Sequence, residues 1–396
     1  MDQTHPLTLI ANPGSASRKY ALYQAEQCLL KIHFEYLGDK IVYSLEQAGT
    51  SIGPEPADVS HLTFAANKLL PIILANLPIS SKEQIKLVAI RVVAPSTYFQ
   101  KDRVLSKKTI DQLTKLEPRA PLHINATLQE IHALRRVFPK AVLAGMSDSA
   151  FHNTMSEVAK YYALPPDKTA KLEIRRFGYH GLSAESIVSS LKAAKLLPKR
   201  LIVCHLGSGV SVTALLSGKS LDTTMGYSPL EGLMMSTRSG NVDITALMAL
   251  QDKLKLTKNE LQDLLNLHSG LLGVSQISSD VRILLQSEKD GSKSAKLALN
   301  MYVHRIVSAI GQMTANLGGV DGLVFTGTVG ERSAEIRKRI VRPLMFLGLM
   351  LDARANHQKI EQLSLLCISP KDHPAKVYIT HCDEDLLMAR RAQALL

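Results

Sequence analysis

Three stretches of this chain share one design, in which an apolar run enters a tight turn of small residues. They are Leu7-Thr-Leu-Ile-Ala-Asn-Pro-Gly-Ser-Ala-Ser17, Leu201-Ile-Val-Cys-His-Leu-Gly-Ser-Gly209 and Leu323-Val-Phe-Thr-Gly-Thr-Val-Gly-Glu331. A strand that ends in such a turn presents backbone N–H groups with no bulky side chain over them. A cluster of those donors cradles phosphate oxygens. One turn of this kind says little. Three, spread over the whole chain, predict an enzyme that wraps a nucleotide or phosphoryl group between two lobes.

The first two stretches also repeat each other. With an offset of 193 residues, Gly14-Ser15 falls on Gly207-Ser208 and Ala21-Leu22 falls on Ala214-Leu215. The offset is close to half the chain, which reads as an internal duplication. The length of 396 residues also favours two lobes.

The surrounding pattern alternates strands and helices. Strands are expected at 8–10, 20–23, 85–93, 141–145, 200–205, 210–216, 323–325 and 377–380. Helices are expected at 57–76, ending near Pro71 or before Pro78, and at 243–268, 293–318, 333–349 and 384–395. Residues 105–135 carry mixed helical signals interrupted by Pro118 and Pro121, and Asp383 is placed to cap the last helix.

Composition excludes several classes. Hydrophobic residues make up 45% and charged residues 21%, as in an ordinary globular protein. No run approaches the ~20 apolar residues that span a bilayer, and the N-terminus shows no signal-peptide pattern. The four cysteines form no CxxC pair, which argues against a zinc site or disulfide framework and fits a reducing cytosol. The net charge of +12 is either a solvated basic surface or an attraction for anionic small substrates. There is no dense basic block, no Trp and only 5% aromatic residues, so nucleic acid is not the expected partner.

Several residues are candidates for chemistry. Arg91 lies near the end of an apolar strand, where a guanidinium needs a partner. That partner is an internal salt bridge, or a carboxylate or phosphoryl group that Arg91 clamps. Asp148 follows a strand, where it either caps a helix or holds Mg²⁺. His123, His180 and Arg238 sit in polar, turn-rich contexts. Asp383, Glu384 and Asp385 read as a capped helix start or as part of a Mg²⁺ site.

Taken in order, these segments resemble the acetate kinase family, within the acetokinase, sugar kinase, Hsp70 and actin superfamily. The likeness runs from Asn12 to Arg390. It is carried by Arg91-Val-Val93, Ala120-Pro-Leu-His123, Asp148-Ser-Ala-Phe-His-Asn-Thr-Met155, Arg176-Phe-Gly-Tyr-His-Gly181, His205-Leu-Gly207, Ser228-Pro-Leu-Glu-Gly232, Thr237-Arg-Ser-Gly240, Ser279-Asp280 and Gly330-Glu331.

The resemblance implies an α/β chain of two duplicated ribonuclease H-like lobes, the actin-like ATPase fold, with a cleft between them. Residues 1–148 with 383–396 would form the first lobe and 149–382 the nucleotide-binding lobe. It implies reversible Mg²⁺-dependent phosphoryl transfer from ATP to acetate, with Mn²⁺ as a substitute metal, in a cytoplasmic homodimer. Propionate is an alternative acceptor, pyrophosphate an alternative donor, and a non-catalytic ATP-binding relative a further alternative.

By the same resemblance, Arg91 and Arg238 flank the acetate and the transferring phosphoryl, His180 donates to that phosphoryl and His123 supports it. Val93, Leu122, Tyr179 and Pro229 form the pocket for the substrate methyl. Asn12, Ser17 and Lys19 match the first phosphate loop. His205, Gly207, Ser208 and Gly209 match the second, and Gly327, Thr328, Gly330 and Arg332 the third. Asp280, Val281 and Arg282 fall on the adenosine side. Asn12, Asp148 and Glu384 fall on the metal side.

The chain departs from the family pattern at several points. Ala94-Pro95-Ser96 replaces His-Gly-Gly, and His123-Ile124-Asn125 replaces His-Asn-Pro. Ser208 replaces Asn, Thr328 replaces Gly, and Arg332 and Asp383 replace Asn. Thr328 is expected to narrow the adenosine side and Arg332 to grip a polyphosphate.

Overall fold

The computed structural model describes residues 6–14, 17–360 and 365–396, apart from the side chains of residues 121 and 122. The chain divides into two compact units, Met1–Ala150 with Asp383–Leu396, and Phe151–Cys382.

The first unit is built on β1 (Leu7–Pro13), β2 (Ser17–Gln24), β3 (Gln27–Leu37), β4 (Lys40–Gln47), β5 (Thr50–Pro56), β6 (Ile85–Val92), β7 (Arg103–Val104) and β8 (Val142–Ser147). They lie in the order β5-β4-β3-β2-β1-β6-β8-β7. The second unit contains β9 (Arg200–Leu206), β10 (Val210–Leu216), β11 (Lys219–Thr223), β12 (Gly322–Thr326), β13 (Leu365–Cys367) and β14 (Lys376–Thr380), in the order β11-β10-β9-β12-β14-β13.

Without the added edge strands, one arrangement remains in both units. β3-β2-β1 and β11-β10-β9 are antiparallel, while β1-β6-β8 and β9-β12-β14 are parallel. This is the ribonuclease H-like order, present twice in an actin-like ATPase fold. The offset of 193 residues seen in the sequence carries Leu7–Pro13 onto Arg200–Leu206 and Ser17 onto Val210, so the two hairpins begin in register.

Burial explains the strand sequences. β1 and β12 are apolar almost throughout because parallel central strands are covered on both faces. β5 is exposed along its whole length and carries Pro54 and Pro56, which suits an edge that must not pair further.

Helix boundaries differ from expectation where local chemistry intervenes. The helix expected at 57–76 begins only at Ala65, after a 3₁₀ turn over Leu62–Phe64 that is capped by His61. It continues through Pro71 to Asn76 because Ala65, Ala66, Leu69 and Ile73 are buried, while Pro71 sits on the exposed face. Pro121 opens the helix Pro121–Val137 at its first position, where its missing N–H is harmless.

The segment expected as one helix over 243–268 is two, Ile244–Leu254 and Lys258–Leu267. Lys255 adopts a left-handed conformation, and Thr257 with Glu260 forms a capping box that restarts the chain. The expected third glycine turn is a short helix, Gly327–Arg332. The helix expected at 333–349 stops at Val341 and tightens to a 3₁₀ turn, Arg342–Leu347. The last helix, Glu384–Gln393, is capped by Asp383 as expected, and it buries Leu387, Met388, Ala389 and Ala392 in the first unit. No described helix is long and apolar enough to cross a membrane.

Pro71 removes one backbone hydrogen bond from a helix held by its buried face. Pro71→Ala is therefore expected to stabilise the first unit by about 1–3 kcal/mol, read as a higher melting temperature. An unchanged or lower melting temperature would mean that the helix is already relaxed around the proline.

Candidate active site

In the first unit the candidate residues gather at the ends of β1, β6 and β8. Arg91, the seventh residue of β6, donates from Nη2 to Asp148 Oδ2 at 3.0 Å and from Nη1 to Glu384 Oε2 at 3.2 Å. Asp148 is buried and its N–H donates to Val92 O at 3.0 Å, extending the β6–β8 pairing. The internal ion pair weighed from sequence is thus present, formed with two carboxylates that lie far apart in the chain.

Two residues that the sequence reading missed hold this cluster in place. Asp102 accepts from the Ser147 N–H at 2.8 Å and from Arg391 Nε at 2.6 Å. It therefore ties the end of β8 to the last helix. The partners are far apart in sequence and no local motif signals them.

The other candidates of this unit lie on strand ends and helix starts. Asn12 stands opposite Lys19 across the β1–β2 hairpin, and Ser17 opens β2. His123 and Leu122 are in the first turn of Pro121–Val137, and Val93 follows β6 half-buried. The Leu122 side chain lies outside the described residues, as do Ser15 and Ala16 of the first turn. Ala94, Pro95 and Ser96 are buried, and Ser96 accepts from the Tyr98 N–H at 3.2 Å to cap a 3₁₀ turn. Asn12, Asp148 and Glu384 offer only oxygen ligands, a donor set that fits Mg²⁺.

In the second unit the segment Arg176–His180 is fixed from several sides. Arg176 pairs with Asp222 at 3.2 Å and with Glu231 at 3.4 Å. His152 is fully buried; its Nε2 donates to Tyr179 O at 2.9 Å and its Nδ1 accepts from Ser220 Oγ at 2.8 Å. His180 itself is left-handed, with φ 58°, a costly conformation for a residue with a side chain. Its Nδ1 is 2.9 Å from Ser211 Oγ, and its ring stacks on His205 with centroids 4.1 Å apart. His205 Nδ1 is in turn 2.8 Å from Ser183 Oγ.

Gly209 completes this arrangement. A Cβ there would lie 3.1 Å from His180 Nε2 and 3.5 Å from Arg238 Nη1. The glycine therefore lets both side chains close over the β9–β10 turn. Tyr179 is buried with its OH donating to Tyr227 O at 2.8 Å, and Pro229 O accepts from Arg238 Nη1 at 3.5 Å.

A concavity of about 690 Å³ in the same unit brings together Gly207, Ser208, Asp280, Val281, Arg282, Thr328 and Arg332. Leu285, Val329 and Ala334 give it an apolar wall, which the sequence reading did not single out. Asp280 caps the helix Val281–Lys289, and hydrogen bonding from Arg282 holds its carboxyl below the usual range. Gly327 has φ 77°, and a Cβ on it would lie 2.9 Å from Leu206 C and 3.1 Å from Gly207 N. The third loop therefore rests directly on the second turn. Gly330 is buried behind it, and Arg337, also buried, donates to Gly330 O at 2.8 Å and Glu331 O at 2.9 Å. Burial pushes Arg337 down to about 10, so it stays charged at neutral pH.

Fold and site together define an actin-like ATPase-type α/β protein with glycine turns, on one of which a histidine and an arginine side chain converge. The Acetokinase family model matches residues 7–390. An acetate kinase of Bacillus velezensis is 36% identical over 387 residues, covering 96% of each chain. The crystal structure of Porphyromonas gingivalis acetate kinase superposes with a TM-score of 0.86 at 32% identity, over 98% of this chain and 99% of that one. A propionate kinase from Francisella tularensis does so with a TM-score of 0.89 at 31% identity, over 99% and 100%. The chain belongs to the acetokinase family.

Asp385 sits beside Glu384 and lines a smaller concavity with Lys19, Lys31 and His33. Burial, helped by the Asp383 and Glu384 carboxylates, pushes it up to about 6 from its ordinary 3.8. Well below pH 4 it is protonated in both folded and unfolded chains. From there to about 6 folding takes up a proton, so stability falls as pH rises, and above that the folded state carries the full cost. Asp385→Asn mimics the protonated acid. It is expected to raise the melting temperature near neutral pH, with a gain that shrinks towards about pH 4.5. A gain independent of pH would show that the carboxyl is not the cause.

Proposed function

We propose that the protein transfers the γ-phosphoryl group of ATP to acetate, giving acetyl phosphate and ADP. The observation that carries this reading is the convergence of His180 Nε2 and Arg238 Nη1 over Gly209, at the turn that also borders the large concavity. Two donors fixed around a glycine turn suit the charge that develops on a transferring phosphoryl group.

In this reading a carboxylate oxygen of acetate attacks the γ-phosphorus in line. The new O–P bond forms as the bond to the β-phosphate oxygen breaks, and its electron pair leaves with ADP. Arg91 and Arg238 hold the acceptor carboxylate and the equatorial oxygens, His180 donates to the phosphoryl group and His123 supports it. No proton has to be abstracted, so these residues act by orientation and charge. Asn12, Ser17 and Lys19, with Gly207 to Gly209 and Gly327 to Gly330, face the donor phosphates. Asn12, Asp148 and Glu384 would hold Mg²⁺, or Mn²⁺ in its place, which neutralises charge on the donor when bound. Homodimer formation and a cytoplasmic location belong to the same proposal.

The apolar wall of Leu285, Val329 and Ala334 favours a nucleotide over pyrophosphate, which has no apolar surface to cover it. Val93, Leu122, Tyr179 and Pro229 would enclose the acceptor methyl. Such a pocket separates homologues differing by a methylene by only ~1–3 kcal/mol. Propionate is accordingly expected as a slower second acceptor, in keeping with the propionate kinase likeness.

The test is acyl phosphate trapped as the hydroxamate, with acetate and propionate, each with Mg-ATP and Mg-pyrophosphate. Product from acetate and ATP is expected; ATP binding without turnover would overturn the catalytic reading, and product from pyrophosphate alone would overturn the donor. His180→Ala and Arg238→Ala are each expected to lower kcat by about 10²–10³ in chains that still fold, as checked by their melting curves. Wild-type kcat in either would remove that residue from the mechanism. Thr328 is exposed at the rim of the concavity, so Thr328→Gly is expected to change the KM for ATP by less than about threefold. A larger fall would show that Thr328 narrows the site.

A further inference from the structure

The start of β2 is anchored by a buried charged pair that the mechanism does not use. Arg18 on β2 and Glu130 on the helix Pro121–Val137 are 4% and 1% exposed, with Nε and Oε2 3.2 Å apart. Tyr20 OH donates to Glu130 Oε1 at 2.7 Å. Arg18 Nη1 donates to Gly14 O and, at 3.3 Å, to Ser17 O. One guanidinium thus grips the main chain on both sides of the turn while its other edge is held by the helix.

Strand alternation makes this grip relevant to the site. On β2, Arg18 and Tyr20 are buried, whereas Ser17 is half-buried and Lys19 exposed. Fixing Arg18 therefore fixes the opposite face, which presents Ser17 and Lys19. On the helix, Glu130 lies seven residues, about two turns, after His123, so the two share a face. The pair links the start of β2 to the helix that carries His123.

Stability alone is a poor reason for such a pair. Two buried charges are expensive to desolvate, and apolar residues of similar size often fold as well or better. We propose that Arg18 and Glu130 are positioning residues that hold the start of β2 so that Ser17 and Lys19 face the donor phosphates. This rests on the reading that Ser17 and Lys19 contact ATP.

The experiment compares steady-state kinetics and melting temperature of the full chain. The single variants Arg18→Leu and Glu130→Leu each leave one buried charge unpaired and are expected to melt lower. The double variant Arg18→Leu/Glu130→Leu removes both charges and is expected to melt at or above the wild-type temperature. Its KM for ATP nonetheless rises at least about tenfold, with the KM for acetate within about twofold. Should the leucine pair fail to fold, Arg18→Met/Glu130→Gln, which keeps a partner for Tyr20, is read in the same way. Ser17→Ala and Lys19→Ala test the underlying reading. If they raise the KM for ATP and the folded double variant does not, the positioning role is overturned and the assignment of Ser17 and Lys19 stands. If neither set moves it, that assignment fails and the proposal with it.

Discussion

A half-buried guanidinium has to be neutralised, and Arg91 is neutralised by two carboxylates, Asp148 and Glu384. Their positions explain why the last helix belongs to the first unit. Glu384 opens that helix, and Arg391 near its end reaches Asp102, which also holds Ser147 at the end of β8. The contacts form a closed ring, from Arg91 through Asp148 and Ser147 to Asp102, then through Arg391 and the helix back to Glu384. Arg91 cannot shift without disturbing two strand ends and a helix. By formal charge the triad is one negative charge in excess, which favours a cation. In the proposed reaction the metal that accompanies the phosphoryl donor meets that demand.

The second unit solves its positioning problem with backbone. His180 stays in a left-handed conformation because the residues before it are pinned by Arg176 and His152, while its ring is held between Ser211 and His205. An imidazole restrained at so many points loses little entropy when it meets a ligand, which is the benefit expected of a preorganised donor. The strain of one residue is sustained by the ion pairs and hydrogen bonds that surround it.

How far this could be read from the sequence depended on the range of each interaction. The hairpins at β1–β2 and β9–β10 were legible because apolar strands and small turn residues are local signals, and their repetition exposed the duplication. The Asp383 cap was legible for the same reason. The break at Lys255 was also written locally, as Thr257 followed by Glu260, but the apolar spacing across 243–268 masked it. Asp102 with Arg391 and Arg18 with Glu130 were not legible, since each pair joins distant elements; Arg18 stands inside the first phosphate-loop stretch, but nothing local points from it to Glu130. The apolar wall of the large concavity was missed because Leu285, Val329 and Ala334 look like ordinary helix residues until three elements are folded together.

The departures from the family pattern around the donor loops become intelligible by the same distinction between inward and outward positions. Gly327 is retained where a Cβ would strike the carbonyl carbon of Leu206, and Gly330 is buried beneath the loop. Thr328 and Arg332, which replace smaller or neutral residues, are both exposed on the lining of the concavity. A backbone that must rest against the β9–β10 turn tolerates no side chain on its inner face. On the outer face it meets only solvent or ligand, so a threonine or an arginine there alters the lining without altering the loop. Arg337 supports the loop from beneath. By holding the carbonyls of Gly330 and Glu331 it fixes the end of the short helix, so the loop geometry is set by buried contacts that the substituted residues do not touch. In the proposed reaction the substitutions therefore bear on which donor is held and how tightly, while the loop scaffold is retained.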